Sequence, residues 1–184
     1  MQQTQLSALD ALERLKEGNQ LYINAKQSCG DISPERRLYT SINGQAPYAV
    51  IVSCSDSRVI PECIFSAGIG DLFVIRVAGN VVDGFPLGSI EYAVEHLNCK
   101  LILVLGHTNC GAVGAALGKH SGYLQLIADE IKRAIGTEPD AVKASALNVR
   151  QTVSKLQTHL AKQKDVLVTG ALYQTNSGVV DFLS

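Results

Sequence analysis

The sequence of 184 residues has no long apolar run, no cluster of basic residues and no tryptophan. No stretch approaches the roughly 18 apolar residues of a membrane-spanning helix, so no membrane span is predicted. Lys and Arg are scattered and the formal net charge is −1, which argues against nucleic acid or an anionic membrane as a partner. The phosphate-binding motifs G-x-x-x-x-G-K-[ST] and G-x-G-x-x-G are also missing, which disfavours nucleotide binding.

The N-terminal stretch MQQTQLSALDALERLKEGNQ has neither the basic nor the apolar segment of a secretory signal. The sequence therefore predicts a cytoplasmic chain, in which thiols stay reduced. Its five cysteines are odd in number, which argues against a complete disulfide framework. They are instead candidates for metal ligands, nucleophiles or small buried side chains.

Hydrophobic residues make up 46% of the chain and charged residues 18%, which is typical of a globular protein with a substantial core. No repeat, low-complexity tract or Pro/Gly/Ser-rich linker divides the sequence, so we predict one domain over residues 1–184. Within it, residues 1–44 are predicted to form an N-terminal helical arm, and residues 45–184 an α/β core.

Helical patterns and apolar runs alternate along the chain. A helix is predicted over 6–25, and Ser33 followed by Pro34 is a typical start for a second helix. Four apolar runs have strand length and suit strands buried on both faces of a parallel sheet. They lie at 48–52, 72–77, 101–105 and 166–168, with helical spacing at 87–97 and 124–131 and a further short apolar tail at 178–183. The pattern predicts an α/β fold with a mostly parallel sheet flanked by helices and a short C-terminal edge strand.

Cysteine and histidine residues gather at the predicted carboxyl ends of two strands. Cys54 ends the first strand, His107 follows the third by one glycine, and Cys110 is three residues further on. Parallel α/β sheets bind ligands at this edge, and zinc prefers thiolate and imidazole ligands. Three such ligands, with a fourth position for water, substrate or Asp56, indicate a catalytic rather than a structural site. His107 and Cys110 are predicted to share one turn at a helix start, where Gly111 leaves room for close approach of the backbone.

Other interpretations of these residues stay open at this point. Cysteines are often small buried hydrophobes, and a single H-x-x-C pair arises by chance. Cys54 and His107 could form a nucleophile and base, although this leaves Cys110 without a role. A saturated structural zinc site in a binding module is a further alternative. Asp56 and Arg58 count against it, because a structural ligand rarely has a competing partner of its own.

Longer stretches around these residues resemble the β-class carbonic anhydrases. The similar stretches are CSDSRVIPE (54–62), GDLFVIRVAGN (70–80), LGSIEYAVEHL (87–97) and LVLGHTNCGAV (103–113), with RLKEGN (14–19) and GALYQTNSGVVDFL (170–183) towards the two ends. The resemblance covers nearly the whole chain, and its paired Cys-Asp-Arg and His-Cys motifs are highly specific.

The resemblance implies a zinc enzyme that reversibly hydrates carbon dioxide to bicarbonate and a proton, by attack of a zinc-bound hydroxide on CO2. It implies one Zn²⁺ per chain, held by Cys54, His107 and Cys110. Asp56 and Arg58 correspond to a switch dyad, in which Asp56 either pairs with Arg58 or becomes the fourth zinc ligand. Two alternatives keep this fold: another small substrate such as carbon disulfide, and a zinc-binding module without catalysis.

The same resemblance implies a homodimer or a dimer of dimers, with active sites at the subunit interface and CO2 or bicarbonate as the small-molecule substrate. Gln45, Phe73 and Tyr92 are similar in position to substrate-pocket residues of the plant-type members. Ala78 suits an apolar pocket wall, and Gly111 is also expected to line the pocket. Gln45 could equally be an ordinary turn residue, and Phe73 an ordinary core residue.

The missing tryptophan bears on regulation. Some family members inhibit themselves with bicarbonate at a second site that uses a tryptophan, and Ile51 stands where that tryptophan would lie in this chain. The sequence therefore does not predict this regulation. Arg76 matches the arginine of that region, or it could serve a salt bridge within a dimer.

Overall fold

The computed structural model describes residues 6–24 and 29–183. Helices and strands alternate along most of this part of the chain. The helices are α1 (Ala8–Ile23), α2 (Pro34–Asn43), α3 (Pro61–Ile64), α4 (Gly84–Glu95), α5 (Gly111–Ala115), α6 (Gly122–Ile135) and α7 (Ala141–His159). The strands are β1 (Ala49–Ser53), β2 (Leu72–Arg76), β3 (Leu101–His107), β4 (Leu167–Tyr173) and β5 (Val180–Leu183). A 3₁₀ turn covers Ala78–Asn80.

The strands form one sheet in the order β2-β1-β3-β4-β5. The first four strands run parallel, and β5 pairs antiparallel with β4 at one edge. This confirms the predicted mostly parallel sheet with a short C-terminal edge strand. Because β1 and β3 are neighbours, the residues that follow them meet at the same edge of the sheet.

Successive side chains of β1 pack on opposite faces of the sheet. Ile51 lies in a core with Leu15 of α1. The next residue, Val52, lies in a second core with Ile90 of α4 and Val149 of α7. All five side chains are fully buried. Helices cover both faces of the sheet, which is why β1 is a continuous apolar run rather than an alternating one.

The second helix begins where the sequence predicts, whereas α1 begins at Ala8, two residues after the predicted start. Ser7 caps α1 by accepting a hydrogen bond from the Asp10 N–H, and Ser33 caps α2 in the same way. The helix predicted over 6–25 is observed as α1, and Ala25 lies outside the described residues. α1 packs into the core through Leu15, whereas α2 has no buried residue.

The helix α7 has no predicted counterpart, because buried polar residues interrupt its apolar face. Asn148 and Thr152 are 2% and 5% exposed. Asn148 donates to the Gly79 carbonyl oxygen at 2.7 Å, and Thr152 donates to the Asn80 carbonyl oxygen at 3.4 Å. These side chains hold the 3₁₀ turn against α7, at the edge of the sheet where β1 and β3 end.

Strand β4 is longer than predicted. The apolar run ends at Val168, but pairing with β3 continues to Tyr173. Thr169 and Gly170 interrupt the apolar run, but the strand continues through them. The backbone of β4 pairs with β3 on one side and with β5 on the other. Within the described residues, no helix is both long and apolar enough to cross a membrane.

Candidate metal centre

The predicted ligands meet at the carboxyl edge of the sheet. β1 pairs in register with β3 as far as Ser53, and Cys54 follows directly. His107 is the last residue of β3, and Cys110 is the N-cap of α5. The prediction that His107 follows the strand and shares a helical turn with Cys110 is therefore wrong. β3 continues through Gly106 and His107 because both pair with β4.

The three side chains form a buried cluster with the dimensions of a zinc site. One ligand atom from each of Cys54, His107 and Cys110 lies within 4.8 Å of the other two, and the two Sγ atoms are 4.0 Å apart. With Zn–S distances of about 2.3 Å and a tetrahedral angle, two coordinated sulfurs would lie about 3.8 Å apart. The residues are 4%, 1% and 7% exposed, so the donor atoms are shielded from solvent and fit a metal ion.

His107 is oriented so that one ring nitrogen is free to bind a metal. Its Nδ1 lies 3.0 Å from the Thr108 carbonyl oxygen. A carbonyl oxygen only accepts, so Nδ1–H donates there, and in the neutral form of the ring the lone pair is on Nε2. Nε2 is buried and has no hydrogen-bond partner among the described residues. A buried polar atom of this kind is costly unless a ligand satisfies it, and metal-bound histidines usually carry such a second hydrogen bond.

The two thiols differ in their affinity for a proton. The pKa of Cys54 is lowered, chiefly because the Cys110 thiol donates a hydrogen bond to it, while burial acts in the opposite direction. The pKa of Cys110 is raised, because it gives that hydrogen bond and is itself buried. A thiolate beside a protonated thiol takes up a divalent cation by releasing the remaining proton. Metal binding at this donor set should therefore strengthen as pH rises.

Gly79 supports Cys54 in a way that sequence reasoning missed. Its N–H donates to Cys54 Sγ at 3.2 Å, and its φ of +68° lies in the left-handed region, which glycine adopts without strain. A Cβ at this position would lie 2.6 Å from Cδ1 of Ile131. The available signal is the glycine in V-A-G-N directly after β2, since a glycine there often marks close approach of two backbones.

Asp56 and Arg58 form a bidentate pair beside the cluster. Arg58 Nε and Nη2 donate to the two carboxylate oxygens at 2.9 and 2.7 Å, and the Arg58 N–H donates to Oδ1 at 3.0 Å. These hydrogen bonds hold the pKa of Asp56 well below its usual range, although burial opposes them. Asp56 Oδ2 lies 3.9 Å from His107 Nε2. The carboxylate thus lies beside the cluster while remaining paired with Arg58.

Two of the predicted pocket residues lie next to the cluster. Ala78 immediately precedes Gly79 in the 3₁₀ turn, and Gly111 follows Cys110 as the first residue of α5. A Cβ built on Gly111 would meet no atom within 4 Å, so the space beside this backbone is open. Both positions are compatible with a wall near the metal ligands.

The other three predicted pocket residues lie far from the cluster of their own chain. Phe73 and Tyr92 contact each other, with ring centroids 6.2 Å apart. Phe73 pairs in register with Val50, four residues before Cys54, so it lies about 13 Å away along the strand at ~3.3 Å per residue. Gln45 is exposed in the segment that precedes β1. The structure therefore brings Phe73 and Tyr92 together, but brings neither them nor Gln45 to Cys54.

A sequence profile described as carbonic anhydrase matches residues 49–180, which include every residue of the cluster. The chain belongs to the carbonic anhydrase family. Solved structures place it in the β class. A β-carbonic anhydrase from Coccomyxa, in complex with acetazolamide, superimposes with a TM-score of 0.72 and 28% identity, over 82% of this chain and 78% of that one. One of two tetrameric β-carbonic anhydrases from Sordaria macrospora gives a TM-score of 0.73 and 26% identity, over 82% and 87%.

Bacterial carbonic anhydrases are similar in sequence. Carbonic anhydrase 2 of Mycobacterium tuberculosis is 51% identical over 107 residues, which are 58% of this chain and 51% of that protein. The carbonic anhydrase of Mycolicibacterium smegmatis is 39% identical over 158 residues, 80% of this chain and 76% of that protein. The match thus spans about half the length of the M. tuberculosis protein and about three quarters of the M. smegmatis protein.

Proposed function

We propose that this chain is a zinc enzyme that reversibly hydrates carbon dioxide to bicarbonate and a proton. The observation that carries the proposal is the buried cluster of Cys54, His107 and Cys110, in which His107 Nε2 has no hydrogen-bond partner among the described residues. The carbonic anhydrase family of the chain supports the reaction. One Zn²⁺ per chain would be held by the two Sγ atoms and Nε2, which leaves a fourth position for a water molecule.

Bound zinc would lower the pKa of that water and so supply hydroxide near neutral pH. The two thiolates of Cys54 and Cys110 offset the charge of the metal, whereas three neutral histidines would not. The pKa of the water should therefore lie above the value of about 7 found at an all-histidine site. Activity should accordingly rise towards alkaline pH.

Asp56 supplies an ionised acceptor beside the fourth position. Arg58 holds the pKa of this carboxyl low, so it stays charged at neutral and mildly acidic pH. Oδ2 is the oxygen beside the cluster, 3.9 Å from His107 Nε2. An acceptor so placed takes a hydrogen bond from the attacking water or hydroxyl group and orients its lone pair towards the substrate. Arg58 keeps the carboxylate from occupying the fourth position itself.

Apolar side chains around the cluster suit a substrate without a net dipole. Val81, Val113 and Ile131 are buried in the same core as Cys54 and Cys110. Walls of this kind exclude bulk water and favour CO2 over polar competitors.

We further propose that a second copy of the chain completes the substrate pocket. Phe73 lies on the edge strand β2 and Tyr92 is 47% exposed, while their own cluster is out of reach. A two-fold dimer formed along this edge would carry both side chains to the cluster of the partner. The tetrameric relatives from Sordaria macrospora support an oligomer. So do Leu38 and Ile42 of α2, which are 64% and 72% exposed.

Stopped-flow CO2 hydration across a pH series, on protein of measured zinc content, tests the function. We expect turnover that rises with pH, disappears after chelation and returns with zinc. X-ray absorption at the zinc edge should show two sulfur ligands and one nitrogen ligand. A zinc-loaded protein with that ligand set and no CO2 hydration at any pH would contradict the catalytic proposal. A site without sulfur scattering would contradict the ligand assignment.

A further inference from the structure

Arg76 is placed by the sheet beside the loop that carries the metal ligand and the acidic residue. It is the last residue of β2 and pairs in register with Ser53, the last residue of β1. The next residue, Val77, extends this pairing by donating its N–H to the Ser53 carbonyl oxygen at 3.1 Å. The loop that begins at Cys54 therefore leaves the sheet alongside the Arg76 side chain.

The Arg76 guanidinium binds two main-chain oxygens of that loop. Its Nε donates to the Cys54 carbonyl oxygen at 3.2 Å, and its Nη2 donates to the Asp56 carbonyl oxygen at 2.7 Å. The Asp56 carbonyl oxygen also accepts from the Val59 N–H at 3.0 Å. The planar fork of an arginine bridges two acceptors with little loss of side-chain freedom per hydrogen bond. Arg76 thereby fixes the backbone on both sides of Ser55.

Two arginines thus act on Asp56 in different ways. Arg58 holds the carboxylate through three hydrogen bonds, whereas Arg76 holds the main chain of the same residue. With the backbone fixed, the carboxylate can leave Arg58 by rotation of its side chain alone. Without that restraint, the loop could carry Asp56 and Cys54 together to a different position relative to His107.

We propose that Arg76 is a positioning residue for the metal centre. It fixes the Cys54–Asp56 backbone so that the thiolate and the carboxylate keep one geometry towards the metal. This role rests on the proposed function, because it concerns the geometry of the same centre. A purely structural Arg76 would stabilise the ends of β1 and β2, and its loss would lower the melting temperature without changing the metal's surroundings.

The variants Arg76→Gln and Arg76→Lys test this role in protein loaded with Co²⁺, whose visible absorption reports the ligands of the metal. Arg76→Gln removes the charge and the fork. Arg76→Lys keeps the charge, but a single ammonium cannot reproduce the planar bridge between two carbonyl oxygens. Arg37→Lys is the matched control, because Arg37 is exposed and also donates to a main-chain oxygen, that of Ile32 at 2.8 Å.

We expect both Arg76 variants to bind one Co²⁺ per chain and to show a changed absorption spectrum at one fixed alkaline pH. In the zinc form, kcat should fall about tenfold for Arg76→Gln, the effect of losing a hydrogen bond worth about 1.4 kcal/mol. KM should stay close to the wild-type value, because the restraint acts on geometry rather than on substrate binding. Arg76→Lys should lie between Arg76→Gln and wild type, and Arg37→Lys should match wild type.

Wild-type spectra and kcat in both Arg76 variants, with only a lower melting temperature, would overturn the proposal. Loss of metal from both variants would also overturn it, because a positioning role leaves all three ligands in place. The Co²⁺ spectra test the role of Arg76 independently of the proposed CO2 hydration. If the wild-type protein binds Co²⁺ and Zn²⁺ but hydrates no CO2, the proposed function fails, while the spectral comparison still decides the role of Arg76.

Discussion

Five cysteines carry free thiols, but only Cys54 and Cys110 lie at the cluster. Cys99 is fully buried and donates a hydrogen bond to the Pro47 carbonyl oxygen at 3.2 Å. Burial raises the pKa of Cys63 above its ordinary value, which disfavours the thiolate form that binds metals. The surroundings of the sulfur atoms therefore separate the two proposed ligands from Cys63 and Cys99.

Replacing a proposed ligand should remove the metal. Cys54→Ala and Cys110→Ala leave one sulfur and one nitrogen, so zinc content and CO2 hydration should both fall to background. Cys29→Ala and Cys63→Ala change residues outside the cluster and should keep about one zinc per chain, because all three proposed ligands remain. Elemental analysis and stopped-flow assays on the same samples check this. Full activity in a metal-depleted Cys110→Ala protein would refute the assignment.

The pair of Asp56 and Arg58 should control how activity depends on pH. The folded pKa of Asp56 is depressed, so the stabilisation from this pair is present above the unfolded pKa of about 3.9 and is lost as pH falls below that value. Protonation of Asp56 therefore does not explain a loss of activity at mildly acidic pH. Under the proposed mechanism, such a loss would come from competition between the ionised carboxylate and water for the fourth metal position.

Arg58→Ala removes the partner that holds the Asp56 carboxylate. The form in which this carboxylate occupies the fourth metal position should therefore persist to higher pH. The midpoint of the pH–rate profile should rise by about one pH unit, the effect of losing a charge-assisted hydrogen bond. Arg37→Ala, an exposed arginine on α2, serves as the control and should keep the wild-type profile. Coincident profiles for Arg58→Ala and wild type, with zinc fully retained in both, would show that the pair does not gate the site.

The sequence predicts residues that act through their own side-chain chemistry better than residues whose role depends on the course of the main chain. Cys54, His107 and Cys110 could be proposed as ligands because zinc prefers thiolate and imidazole and the three residues lie at or near the carboxyl ends of two parallel strands. Gly79 and Arg76 act on sulfur and carbonyl oxygens through the geometry of the backbone. That geometry depends on the pairing of β1 with β2, which the sequence pattern does not specify.

At the scale of elements, Asn19 ties α1 to two distant parts of the chain. Its Nδ2 donates to the carbonyl oxygens of Ile64 at 3.2 Å and Gly178 at 2.9 Å, and its Oδ1 accepts from the Val180 N–H at 3.0 Å. Asn19 is 2% exposed, so these hydrogen bonds are shielded from water. One amide thereby holds α1 against α3 and the start of β5.

Asn19→Ala should destabilise the fold strongly, because it leaves three buried main-chain groups without their partner. We expect the free energy of unfolding to fall by about 2–4 kcal/mol, measured by urea denaturation. Asn43→Ala is the matched control, since Asn43 makes one exposed hydrogen bond to Tyr39 and should change stability by less than about 0.5 kcal/mol. Equal stability of the two variants would show that Asn19 does not tie α1 to the core.

Helices and strands are recognisable from the sequence where their buried residues are all apolar, and are missed where buried polar residues lie among the apolar ones. β1 and β3 are buried along their whole length, and both are recognisable as apolar runs. α7 buries Asn148 and Thr152 in order to hold the 3₁₀ turn beside Cys54, so its apolar periodicity is broken. The prediction thus missed α7 because the helix uses polar side chains to support the site.

At the scale of the whole molecule, the proposed shared pocket predicts that the cluster of one copy works with Phe73 and Tyr92 of a second copy. A Cys110→Ala chain has intact pocket residues but no metal. A chain with Phe73→Ala and Tyr92→Ala has the metal but lacks those residues. If the two are dissociated and mixed, half of the dimers should be hybrid, each with one complete site. Activity per chain should recover to about a quarter of the wild-type value.

The control for this experiment is a mixture of Cys110→Ala and Cys54→Ala chains. Neither chain can hold the metal, so no hybrid site is complete and mixing should restore nothing. Light scattering on each sample verifies that dimers or larger assemblies are present. An active wild-type monomer, or a mixture of the first two variants that gains no activity, would contradict the shared pocket.

The central claim is that one zinc ion at the Cys54–His107–Cys110 cluster hydrates CO2. Its most direct test is the initial rate of CO2 hydration as zinc is added in steps to metal-free protein at alkaline pH. The account predicts no activity before addition, a linear rise, and a break at one zinc per chain, as expected for tight binding by three ligands. Activity in the metal-free protein, or no activity at full zinc occupancy, would contradict it.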